Sequence, residues 1–177
     1  MSSINNFKDL VKSKEFNTVM YDEYFFEEVA NDGLNTRYLK RDNYKLNNLK
    51  NIDFPDLLLN LVNGFLDNLN VTIFVEETYT KNNLNYYCNI KSDLEHYKFI
   101  EDIYYNVDLK CSKNNVLEIE TSIEKKYDEN QINEIDKIFL NLFLIFMENN
   151  YTNYVKNNIF KKKLSKLNLH SFVLNIT

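Results

Sequence analysis

The chain has 177 residues and a formal net charge of −5, and 44% of its residues are hydrophobic and 15% aromatic. That is enough apolar material for one domain with a real core, and too much for a disordered chain. No basic block dominates, which argues against a nucleic-acid partner, and two cysteines with two histidines are too few for a disulfide framework, a four-ligand zinc site or a His-rich metal centre.

Cys88 and Cys111 therefore read as free thiols, and neither metal nor cofactor is expected. The opening MSSINNFKDLVKSKEF has no hydrophobic signal core and no Arg, so neither a secretory signal nor a usual transit peptide is expected. Ile4 to Lys14 reads as a short helix with Ile4, Phe7, Leu10 and Val11 on one side. Residues 1–15 are taken as an N-terminal extension, 16–163 as the core and 164–177 as a tail of one domain. Phe16 to Val29 is rich in aromatic and β-branched residues and is followed by Ala30-Asn31-Asp32-Gly33, a turn signal. It reads as a strand, with Leu34 to Lys45 as its hairpin return.

Residues 46–70 interrupt the strands. Phe54 and Pro55 open a short amphipathic helix carrying Leu57, Leu58, Leu61, Val62 and Phe65. Such an insert is either a flap over whatever the sheet encloses or a crossover that closes one end of the core. Alternation at period two then marks the clearest strands. Val71, Ile73, Val75, Glu77 and Tyr79 share a face, as do Leu84, Tyr86, Cys88 and Ile90. Tyr97, Phe99, Glu101, Ile103, Tyr105, Val107 and Leu109 form the next set, and Leu117, Ile119, Thr121 and Ile123 the last. Short turns between them imply an antiparallel meander.

Gln131 to Lys163 reads as one long helix without Gly or Pro. Ile135, Phe139, Leu142, Phe146 and Tyr154 recur at helical spacing, and Glu134, Asn141 and Glu148 form a narrow polar stripe. Its apolar run of about ten residues is too short for a bilayer, which needs roughly 20. The expected fold is α+β: a curved antiparallel β-sheet wrapped around a long C-terminal α-helix, the helix-grip arrangement. Glu77 and Glu101 stand in register with apolar neighbours on the inward face. Each has a basic or Tyr partner or is turned out by a bulge, or both line a wet cavity. No nucleophile elbow, P-loop or dinucleotide fingerprint is present, so an enzyme built on those carboxylates is the least favoured reading.

Several stretches resemble the PRELI-type lipid-transfer proteins, which have a START-like helix-grip fold. EYFFEEVANDGLNTRYL, with Arg37 and Leu39, is similar to that family's first hairpin. FVEETYTKNN, Asn89-Ile90 and FIEDIYY are similar to its later strands, and Pro55 stands near its Pro before an apolar helix. The resemblance implies a phospholipid, phosphatidic acid-like, carried between membranes in an apolar cavity between sheet and helix. It also implies the mitochondrial intermembrane space, a small disulfide-bonded helical partner protein, and a lid around Phe54, Pro55 and Leu58. Without the resemblance the expected compartment is the cytoplasm. The family's Trp-bearing opening is absent, and Glu27 stands where members carry a base. Arg37, Arg41 and Lys137 are then the cationic candidates for the lipid site, with Glu77 and Glu101 as its carboxylates. Lys161, Lys162 and Lys163, set among Phe160 and Leu164, are candidates for transient contact with an anionic membrane. The alternative is a helix-grip module that binds another protein, or another apolar ligand without transfer.

Overall fold

Two small caps set the start of the chain. In the computed structural model, which describes residues 4–21, 26–45, 70–92 and 100–176, the Asn6 side chain accepts from the Asp9 amide at 2.9 Å and starts α1 (Phe7–Lys12). Phe7, Leu10 and Val11 are buried in the main core, so the N-terminal segment is part of the packed body. Ser13 accepts from the Phe16 amide and starts α2 (Lys14–Tyr21). This corrects the strand expected over Phe16–Val29. Phe16 and Met20, four residues apart, put their side chains on one helical face and are both buried. Packing of that face overrides the β-like composition, and the strand β1 is confined to Glu27–Asn31.

The hairpin turn lies where the Asn-Asp-Gly signal sits. One Asp32 carboxylate oxygen accepts from the amides of Leu34, Asn35 and Thr36, and these bonds hold its pKa below the usual carboxylate value. Gly33 takes a positive φ of 75°, a conformation a side chain would strain. The chain continues through β2 (Thr36–Lys45), β3 (Asn70–Thr80), β4 (Asn83–Ser92), β5 (Ile103–Cys111) and β6 (Val116–Lys125). Each pairs antiparallel with the one before. Among the described residues the sheet has seven strands in sequence order. The seventh, β7 (Val173–Leu174), lies parallel to β6 and covers part of its edge. Phe172 and Ile176 beside it are buried, so the tail both adds a strand and packs back on the core.

Alternation is plainest on β5, where Ile103, Tyr105, Val107, Leu109 and Cys111 are buried and the residues between them are not. The strand begins at Ile103. Residues 100–102 form a 3₁₀ turn that buries Ile100, so Glu101 is not on an inward strand face.

The long C-terminal helix, α3, runs from Glu134 to Leu164. Asn133 caps it, accepting from the Asp136 amide at 2.8 Å, and a separate 3₁₀ turn occupies Glu129–Gln131. Its winding changes along its length. Glu134–Phe146 is α-helical, while Met147–Tyr151 and Val155–Lys161 are π-wound. Met147, Val155, Phe160 and Leu164 are buried and Tyr151 is half-buried on the same face. The steps between these positions are four, four, five and four residues, longer than the 3.6 of an α-turn. The wider winding is what keeps them aligned toward the sheet. The inward stripe of the first half is Leu140, Phe143 and Leu144, whereas Ile135 is 68% exposed. Ile135, expected on the inward face, is therefore turned away from the core, whereas Tyr154 of the same set packs against it. Glu134, Asn141 and Glu148 face outward.

Candidate functional site: an apolar cavity between sheet and helix

The inward side chains of the sheet and of α3 do not close completely on one another. A cavity of about 240 Å³ remains between them. Strands β2 to β5 contribute Leu39, Arg41, Val75, Tyr86, Cys88, Tyr105 and Val107. The helix contributes Phe143, Met147, Tyr151, Val155 and Phe160, with Met20 of α2 closing one side. Edge-to-face contacts join the two walls, Tyr86 to Phe160 at 5.7 Å and Tyr105 to Tyr151 at 5.4 Å between ring centroids.

The thiol and the tyrosine hydroxyls in this wall are held neutral. Burial pushes the Cys88 thiol up to about 12 and raises the Tyr86 hydroxyl well above its ordinary value. Burial also raises Tyr105, against the lowering effect of its hydrogen bonds to Thr152 and Thr121. The Thr152 hydroxyl donates to the Met147 carbonyl at 2.9 Å and lies 3.1 Å from the Tyr105 hydroxyl. With the single Thr152 proton used, Tyr105 is the donor between them. Arg41 is the one charged residue among the described lining residues. It is half-buried and stands near the end of β2, opposite Ile73. Immediately beyond it the β2–β3 register slips by one residue, and Asn43 adopts a φ of 54°.

Glu77 does face inward, and Arg37 stands directly opposite it on β2. Arg37 Nε and Nη2 donate to the two Glu77 oxygens at 2.8 and 3.1 Å, a bidentate pair. Nη2 also donates to Asn17 Oδ1 at 2.6 Å, and Nη1 lies 3.7 Å from Glu28. Burial pushes the Glu77 carboxyl up to about 8, while the guanidinium fork favours the carboxylate form. The pair thus pins α2 to the sheet and lies outside the cavity lining. The other candidates are dispersed. Lys137 bonds to Glu134 on the outer side of α3 at 3.1 Å, and Glu101 lies in the 3₁₀ turn. Lys161 and Lys162 are exposed, but Lys163 is 2% exposed and donates to the Met20 carbonyl at 3.3 Å. Lys163 therefore belongs to the core contact between α3 and α2 and is not placed for a membrane. Phe54, Pro55 and Leu58 lie outside the described residues.

Sequence reasoning missed the Tyr105–Thr152 bond and the inward face of α3. The four- and five-residue spacing of Met147, Tyr151, Val155, Phe160 and Leu164 was the available signal for the second; nothing in the sequence marked the first. Among the described residues no group of three or more His, Cys, Asp or Glu side chains could hold a metal, and no helix is long and apolar enough to cross a membrane. No protein-family model, curated protein or solved structure matches this chain.

Proposed function

We propose that this protein binds a lipid-class ligand in the cavity between its sheet and α3, in the manner of a START-like helix-grip carrier. The observation that carries the reading is the cavity of about 240 Å³ itself. A core rich in Tyr and Phe could have filled this space, since protein interiors ordinarily pack without voids larger than a water. Instead, an apolar hollow is left between helix and sheet, the kind of site that takes an apolar ligand. Its size lies above a cavity of about 150 Å³ that accepts benzene. It approaches the lower end of ligand pockets, roughly 300 Å³. The resemblance of the hairpin and later strands to PRELI-type proteins supports carriage of a phospholipid between membranes. Exposed Lys161 and Lys162 would meet an anionic surface in such transfer.

Native mass spectrometry of the gently purified chain, with organic extraction of the same sample, tests the reading. The expected result is a co-purified lipid bound one to one. A chain that carries none, and whose unfolding temperature no lipid raises, would refute it. A second reading has its own support. Ile135, Ile138 and Ile145 on the outer side of α3 are 68%, 61% and 52% exposed, which favours a surface that meets another protein.

A further inference from the structure

The volume of the cavity and the ties between its walls narrow the ligand further. We propose that the occupant is an uncharged apolar molecule of about ten non-hydrogen atoms, close in size to nonanol or decanol. This rests on the cavity reading above, and it sets a much smaller molecule of the same apolar class in place of the phospholipid that the family resemblance implies.

Volume sets the size. A cavity of roughly 150 Å³ that accepts benzene allows about 25 Å³ for each ring carbon. At that density a space of about 240 Å³ holds about ten non-hydrogen atoms. The acyl chains of membrane lipids exceed that, singly as well as in pairs.

The volume is also held from both sides. Tyr86 on β4 meets Phe160 on α3, and Tyr105 on β5 meets Tyr151, each pair edge to face. The Tyr105 hydroxyl donates to Thr152, whose own proton goes to the Met147 carbonyl. These contacts tie sheet to helix across the space, and a wider gap would break them. Between them stand Val75, Val107 and Val155, all buried, whose branched side chains have little rotamer freedom. A preformed hollow of fixed width favours a molecule that matches it.

The lining chemistry excludes charge. Burial keeps the Cys88 thiol and the Tyr86 and Tyr105 hydroxyls neutral. Arg41, the one charged residue among the described lining residues, is already engaged within the protein. An ion that entered would give up its water for rings and aliphatic carbon, a cost that an alcohol or a hydrocarbon largely escapes.

Titration calorimetry of the full chain with straight-chain alcohols from hexanol to tetradecanol, each below its solubility limit, tests the size. Affinity should rise about fourfold with each added CH₂ while the chain still finds empty space, and it should stop rising near nonanol or decanol. A gain that continues undiminished to tetradecanol would overturn the size assignment. Val107→Ala, which shortens a side chain in the wall, should carry the break about two carbons further. Decanoate at about pH 8 presents a similar chain with a charge, and should bind about tenfold or more weakly than decanol. Equal or tighter binding of decanoate would overturn the uncharged assignment. Methyl NMR reads the location, because Met20 and Met147 are two of the chain's three methionines and both line the cavity. Decanol should shift both signals, and binding that leaves both unmoved would place the ligand elsewhere and overturn the proposal. If no alcohol binds while the purified chain carries a lipid, this inference fails alone. If no alcohol binds and no lipid is carried, the lipid-binding reading falls with it.

Discussion

Arg37 shows how one side chain can look like a ligand reader and serve as a strut. It spans three elements, meeting Glu77 on β3, Asn17 on α2 and Glu28 on β1. The Glu77 side chain is only 12% exposed, so removing its guanidinium leaves a carboxylate with little water to replace it. Arg37→Ala should cost about 3 kcal/mol near neutral pH, the lower end for breaking a buried pair, because Arg37 keeps 22% of its side chain exposed. The cost should depend on pH in a defined direction. With the cation gone, nothing offsets burial, which holds the folded-state pKa of Glu77 above its ordinary 4.5. A carboxyl raised on folding favours the folded state below its unfolded value and loses that stability as pH climbs through the raised one. Urea unfolding of the variant should therefore show its deficit growing from pH 5 to pH 8.5, and a deficit flat across that range would contradict the pairing. Glu77 as an inward carboxylate needing a basic partner could be read from β3's alternation. Which base met it could not, because that depends on strand register, which Arg37 and Glu77 reveal only when β2 and β3 are paired.

At the scale of elements, α3 carries the clearest difference between pattern and structure. Its length and its position after the meander follow from an uninterrupted apolar run that ends a series of strands. Its facing does not, since a 3.6-residue period places Ile135 inward, while the π-wound second half selects Met147, Val155, Phe160 and Leu164. When nearly every residue of a segment is apolar, periodicity loses its contrast and helical phase is set by what the sheet offers to pack against. The same holds for α2, where Ser13 capping and the Phe16–Met20 pair outweigh β-like composition. Phase can be tested directly. Leu144→Ala, at a position 4% exposed, should cost about 2–4 kcal/mol through the cavity it opens. Ile138→Glu, at a position 61% exposed, should change stability by less than about 0.5 kcal/mol in the isolated chain. Chemical denaturation of both variants measures this, and the reverse order would mean that α3 is turned the other way.

For the molecule as a whole, a core built around a void has a thermodynamic consequence. The inward faces of β2 to β5, the second half of α3 and Met20 of α2 together surround about 240 Å³, and each wall forgoes the contacts that a filled space would supply. A ligand that enters restores them in the folded state only, so binding and stability are linked. At a free ligand concentration one hundred times its Kd, the folded state gains about 2.7 kcal/mol. For a domain of this size that is a Tm rise of about 5–10 °C. Val107→Phe, which places a ring in the void, should reproduce part of the rise without ligand and remove most of the ligand's further effect. Calorimetric scans of both proteins, with and without a single-chain lipid, provide the four temperatures required. If the variant is less stable and still responds fully to lipid, the ligand occupies some other part of the molecule. If neither protein responds, the void is a packing imperfection of a strand-rich core closed by a helix wound to fit it.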